Sequence, residues 1–195
     1  MDKKHLAMAL SKLIPLETKH IHLEQYQTDS ELASLLLWQA YLAGDITGKT
    51  VADFGCGNGI FGIGALLLGA SNVYFIDQDP NAIAIAQNNA QGKGEFLCDD
   101  IITFQTPVDT VLMNPPFGVQ QRKADKHFLE HAMHFSTAIY SIHKIESKHF
   151  LQSLCSDHRW RVTHITEHPF LLKKSYSFHT KKIHPVRIGI FELRV

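Results

Sequence analysis

The sequence predicts an α/β fold in one domain over residues 1–195: a doubly wound, mostly parallel seven-stranded sheet that closes with an antiparallel C-terminal hairpin. Three observations predict it. Apolar runs of strand length alternate with helix-length segments from residue 51 to residue 156, as parallel strands joined by crossover helices do. The first run ends in a glycine-rich turn that opens straight into an apolar helix. The last two runs have no helix-length pattern between them, so they pair antiparallel.

At 195 residues and 45% hydrophobic content the chain can bury a real core without disulfides or metals. Lysine plus arginine balances aspartate plus glutamate at 19 each, which excludes a globally polyanion-binding surface. The balance is local as well as global only in part: Lys173, Lys174, Lys181, Lys182, Arg187 and Arg194 face Glu192 alone, with His168, His179 and His184 nearby. A basic patch is expected at that end. Cys56, Cys98 and Cys155 are odd in number and lack metal-ligand spacing, which suits a reducing, cytoplasmic setting. No apolar stretch reaches membrane-spanning length, and Lys12 and Glu17 break any signal-peptide pattern.

Leu6, Leu10, Leu13 and Ile14 share a helical face, so residues 1–14 predict an amphipathic helix. Residues 23–28, LEQYQT, lead to Asp29 or Ser30 as N-cap of a second helix; by periodicity alone they are a polar helix entry. Residues 1–44 thus form an N-terminal helical segment and 45–195 the sheet-bearing core. Strand Val51–Phe54 ends in Gly55-Cys-Gly57-Asn58-Gly59, and a helix begins at Ile60. The second strand, Asn72–Ile76, ends at Asp77, about 20 residues past the loop, where an acid can bind ribose hydroxyls. This is a Rossmann-like nucleoside-cofactor unit. Two cofactors compete for it. Gly57-x-Gly59-x-x-Gly62 matches a dinucleotide fingerprint, and NAD fits that register. In the other register Asp53 precedes Gly55, Gly57 and Gly59, and its carboxylate would repel a pyrophosphate but suits loop amides or an ammonium group.

Strand Glu95–Cys98 ends in Asp99-Asp100, which can accept from an adenine amine or simply start a loop. The fourth strand, Val108–Met113, stops at Asn114-Pro115-Pro116-Phe117, because two prolines cannot donate and the first biases Asn114 away from helix. That turn sets an amide and an aromatic ring at a strand's carboxyl end, where open α/β sheets bind ligands. Then follow a polar loop over 120–126, a helix over 125–136, strand Ala138–Ile142, a helix over 146–156, and strands Trp160–Ile165 and Arg187–Val195 separated by mostly irregular chain from Thr166 to Pro185. His127, His131 and His134 share one helical face, without HExxH spacing or a cysteine pair; they predict a solvated face and no metal site.

These residues resemble class I S-adenosylmethionine-dependent amino-methyltransferases of the NPPF type. LEQYQT at 23–28, VADFGCGNG at 51–59, TVLMNPPFG at 110–118, YSIHK at 140–144 and YSFHTKK at 176–182, in that order, are similar to the methyltransferase-like enzymes that make N6-methyladenosine in small-subunit ribosomal RNA. Gln27 departs from the proline usual in the first motif, and Asn58 from a small residue or cysteine in the second. The resemblance implies S-adenosyl-L-methionine as cofactor, held by Gln25, Thr28, Asp53, Gly55, Gly57, Asn58, Gly59, Ile60, Asp77, Asp99 and Asp100. It implies Asn114, Pro115, Pro116 and Phe117 as the catalytic turn and gives no role to residues 1–22. It also implies a small zinc-binding activator protein as heterodimer partner, which the exposed strand Glu95–Cys98 could take up by strand addition.

Adenine's exocyclic nitrogen is a poor nucleophile because its lone pair is delocalised into the ring. Acceptors at Asn114 and the Pro115 carbonyl would favour a more tetrahedral nitrogen, through orientation and preorganisation rather than a base. Phe117 would stack on the base. For RNA as partner, the candidate contacts are Arg122, Lys123, Lys126, Lys173, Lys174, Tyr176, Phe178, His179, Lys181 and Lys182, with solvated surface charge as the competing reading. The rival functions are a protein-glutamine N5 methyltransferase and a non-catalytic RNA-binding or activator module of the same fold.

Overall fold

The computed structural model describes residues 1–16, 28–116, 124–170 and 186–195. Seven strands form one sheet in the order β3-β2-β1-β4-β5-β7-β6. They are β1 (Thr50–Phe54), β2 (Asn72–Asp77), β3 (Glu95–Cys98), β4 (Thr110–Met113), β5 (Ala138–Lys144), β6 (Arg161–Phe170) and β7 (Val186–Arg194). β1 to β5 are mutually parallel, and β7 runs antiparallel between β5 and β6. This is the expected Rossmann-like sheet with its antiparallel C-terminal pair.

Among the described residues six α-helices accompany it: α1 (Lys3–Leu10), α2 (Ser30–Leu42), α3 (Ile60–Leu67), α4 (Pro80–Asn89), α5 (Ala124–Phe135) and α6 (Lys148–Asp157). Both faces of the central strands are buried, so they are mostly apolar: β4 is fully buried along Thr110–Met113. One face packs α1, α2, α3 and α4 through Leu6, Leu37, Ile63 and Ile83, among others. The other packs α5 and α6 through Leu129, Met133, Leu151 and Leu154. The N-terminal helical segment therefore shares the sheet's own core.

Several boundaries differ from the sequence reading, two of them by more than the others. α1 ends at Leu10, because Lys12 and Leu13 donate to Ala9 and Leu10 at 3.2 Å, a tightened last turn that Pro15 cannot extend. β6 continues through Phe170, five residues past Ile165, where irregular chain was expected; Thr166 to Phe170 pair with Ile190 back to Val186. The cause is the sheet edge: Thr163, His164 and Glu167 are exposed, so the strand carries no continuous apolar run to read.

α3 explains Gly62 without a phosphate. A Cβ there would lie 2.2 Å from the Phe75 ring, and one on Gly64 would lie 2.2 Å from Leu37. These glycines let α3 press against β2 and α2, the packing reason for a third glycine in such motifs.

Candidate active site

Because β1 to β4 are parallel, their carboxyl ends fall side by side: Asp99 after β3, Asp77 ending β2, the glycine loop after β1, and Asn114 after β4. The chain direction of the strand order reverses between β1 and β4, the position at which open sheets bind ligands. From β3 to β4 is three strand spacings, about 14 Å. Gly55, Gly57 and Gly59 all have φ in the left-handed region, at 66°, 55° and 84°, so the loop's tight turn requires residues without a Cβ.

Two carboxylates hold that loop. Asp53 is fully buried at the end of β1, and its Oδ2 accepts from Gly62 N–H at 2.8 Å in the first turn of α3. Its Oδ1 is buried without a partner among the described residues. Burial pushes the carboxyl pKa well above the usual range; the Gly62 N–H opposes this and the Asp77 charge adds to it. Asp77 accepts from Gly57 N–H at 2.9 Å and from Asp79 N–H at 3.0 Å, while its own burial raises its pKa.

Asn114 follows a fully buried strand. Its Nδ2 donates to Thr28 Oγ1 at 3.0 Å, and its Oδ1 is buried without a partner among the described residues. A buried, unsatisfied amide oxygen costs about 1–3 kcal/mol, so a donor is what this position is built to receive. Thr28 reaches it because α2 is capped by the next residue, Asp29, whose side chain accepts from Leu32 N–H at 2.9 Å.

Other expected site residues are arranged differently from one another. Gly59 caps α3, and Ile60 opens it as a buried residue. Asp99 is exposed, its N–H bonded to the Asp77 carbonyl at 3.1 Å. The Asp100 carboxylate accepts from Ile102 N–H at 3.1 Å and caps a short 3-10 turn, the loop-starting role weighed for it. The Asn58 side chain is 2% exposed and donates to the Ile14 carbonyl at 3.2 Å. Pro115 is buried and Pro116 half-buried. Lys126 lies 3.6 Å from Glu130. Gln25, Phe117, Arg122, Lys123, Lys173, Lys174, Tyr176, Phe178, His179, Lys181 and Lys182 lie outside the described residues.

The structure also brings in residues that sequence reasoning passed over. Ile14, Leu16 and Asn89 meet the glycine loop, and Phe128 of α5 lies 3.3 Å from a Cβ built on Gly55. On β5, beside β4, the buried Ser141 and His143 bond at 2.7 Å, and burial drives the imidazole pKa down to about 3. Of the three helix-face histidines, His131 is no solvated residue: it bonds the Phe104 carbonyl at 2.6 Å and meets the Phe54 ring. No cluster of potential metal ligands occurs among the described residues.

A family model described as "Methyltransferase small domain" matches residues 27–138, which contain Thr28, the glycine loop, Asp77, Asp99 and Asn114. The chain belongs to that methyltransferase family. Across nearly its whole length this methyltransferase is similar to an enzyme named rRNA N(6)-adenosine-methyltransferase METTL5 in Danio rerio, 35% identical over 93% of each chain. It is also similar to a Pyrococcus horikoshii crystal structure named as a candidate RNA methyltransferase, with TM-score 0.91 and 40% identity over 100% of this chain and 98% of that one. Ribosomal protein L11 methyltransferase of Actinobacillus succinogenes is 60% identical, but over 50 residues, 26% of this chain and 17% of its own.

S-Adenosyl-L-methionine is the cofactor of this methyltransferase. The donor set fits it. Asp77 at the end of β2 and exposed Asp99 after β3 suit a nucleoside, and the left-handed glycines let a ligand approach the backbone closely. The Asn114 oxygen, unpaired among the described residues, suits a hydrogen-bond donor better than an anion.

Proposed function

We propose that this methyltransferase transfers a methyl group from S-adenosyl-L-methionine to the N6 amine of adenosine in RNA, with small-subunit ribosomal RNA as the acceptor. The observation that carries the reading is the Asn114 carboxamide, whose NH2 end is bonded to Thr28 and whose oxygen is buried and unpaired among the described residues. The names of relatives similar over nearly the whole chain, which give N6 of adenosine in rRNA, support that part of it.

When bound, the cofactor supplies an electrophilic methyl group on a sulfonium. The chain's own residues prepare the nucleophile. Asn114 Oδ1 and the Pro115 carbonyl accept the two amine hydrogens, which draws the nitrogen toward tetrahedral geometry and frees its lone pair. The prolines fix both acceptors, so no reorganisation is needed during transfer. Asn114 is not a base, and the amine's proton leaves to water once the nitrogen has become cationic. Phe117 stacks on the base, and Gln25, Thr28, Asp53, the glycine loop, Asn58, Ile60, Asp77, Asp99 and Asp100 serve the cofactor side. Lys126 and the basic residues of 122–123 and 173–182 track phosphates.

The same acceptor pair could serve a glutamine amide. Labelled methyl transfer to RNA or to protein from small ribosomal subunits tests the choice: label in RNA supports the reading, and label in protein alone overturns it. For the partner, among the described residues the edge strand β3 is paired on one side, to β2, and its other edge suits strand addition by a small zinc-binding activator protein. Co-elution of the two proteins on gel filtration would support that pairing. The cytoplasm is the proposed location, since Cys56, Cys98 and Cys155 are free thiols; among the described residues no helix is long and apolar enough to cross a membrane.

A further inference from the structure

Asn89 ends α4, and its half-buried carboxamide grips the main chain of the N-terminal segment. Its Oδ1 accepts from Ile14 N–H at 2.8 Å, and its Nδ2 donates to the Ile14 carbonyl at 3.0 Å. The same Nδ2 donates to the Asn58 carbonyl at 3.0 Å, and Asn58 Nδ2 donates to the Ile14 carbonyl at 3.2 Å. One side chain thus joins α4, the glycine loop and the chain after α1.

The consequence appears two residues on. Pro15, with its φ fixed by the ring, leaves little slack between Ile14 and Leu16. Leu16 then lies over the loop, 3.3 Å from a Cβ built on Gly57. Gly57 in turn donates its N–H to Asp77. A continuous line of contacts therefore runs from Asn89 through Ile14 and Leu16 to Gly57 and the acid at the end of β2. A tether for stability alone would not need it, since Leu6, Ala7 and Leu10 already bury α1 in the core.

We infer that Asn89 is a positioning residue for the cofactor: it holds Ile14 to Leu16 against the glycine loop, and so keeps Gly57 on Asp77 in the shape that binds the nucleoside end. The inference rests on the assignment of this loop to S-adenosyl-L-methionine. Titration calorimetry with that cofactor, and NMR exchange of the Gly57 amide in cofactor-free protein, test it in the full chain. Asn89→Leu raises the dissociation constant about fivefold or more and speeds Gly57 exchange, while kcat at saturating cofactor stays within about twofold. Asn89→Asp keeps the acceptor for Ile14 N–H but sets a carboxylate oxygen against the Ile14 and Asn58 carbonyls, so it weakens binding at least as much. Leu16→Ala weakens binding in the same direction, although it leaves the Asn89 bonds in place. Should Asn89→Leu fail to fold, Asn89→Asp and Leu16→Ala decide by the same two readouts. Wild-type affinity and unchanged Gly57 exchange in these variants overturn the role of Asn89. Wild-type protein that does not bind the cofactor overturns the cofactor assignment instead.

Discussion

Asn114 and Thr28, 86 residues apart in sequence, are joined by one hydrogen bond of 3.0 Å from the Asn114 NH2 to the threonine hydroxyl. That bond turns the amide oxygen away from Thr28 and leaves it free to accept. In the proposed mechanism Thr28 therefore orients the group that accepts from the reacting amine, besides its place on the cofactor side. Thr28→Val removes the acceptor at nearly constant volume and is expected to lower kcat about tenfold, the scale of one lost orienting bond. Thr28→Ser keeps the hydroxyl and most of the rate. Single-turnover kinetics check this, and equal rates for the valine and serine variants would contradict it.

Asp77→Ala is expected to raise the cofactor dissociation constant about tenfold or more, from the loss of a charge-assisted bond of about 1.5–3 kcal/mol. It also strips the acceptor from Gly57 and Asp79 N–H, so the melting temperature falls. Calorimetric titration and thermal melts measure the two effects separately.

Gly62→Ala tests whether that glycine serves packing or a dinucleotide. The added methyl meets the Phe75 ring, so a loss of about 1–3 kcal/mol is expected. Phe75→Leu in the same chain relieves part of it. Recovery in urea denaturation supports packing; a stable Gly62→Ala protein contradicts it.

His143 makes stability pH-dependent. Burial lowers its pKa from 6.5 to about 3, so between these values the unfolded chain binds a proton that the folded chain does not. Its contribution is complete above pH 6.5 and is lost as the pH falls toward 3. The stability difference between wild type and His143→Gln should shrink by up to about 1.4 kcal/mol per pH unit across that window. Urea midpoints measured across it check the slope, and a constant difference contradicts it.

The fold was legible where burial is two-sided. β1, β2 and β4 are apolar runs cut off by glycine, acid or proline, and each stop places a site residue at a strand end. Thr166 to Phe170 were not legible as strand, because an edge strand exposes polar residues on it and its pairing partner lies beyond residue 185. The site divides in the same way. Asp77 and Asn114 are announced by local turn chemistry. The grip of Asn89 on Ile14 is not, since a side chain bonding a main chain 75 residues away leaves no periodicity or spacing. For the same reason the Asn58 motif position gave no sign that its side chain faces Ile14 rather than open space. His131 escaped because its partner is a backbone carbonyl.

Adenine N6 methylation through Asn114 is open to a direct test. Ribosomal RNA from cells lacking the protein, treated with methyl-labelled S-adenosyl-L-methionine and then digested to nucleosides, tests it most directly. Label is expected in N6-methyladenosine with wild-type protein, and at least about a hundredfold less with Asn114→Ala at nearly unchanged cofactor affinity. Label in another nucleoside, or undiminished transfer by Asn114→Ala, would contradict it.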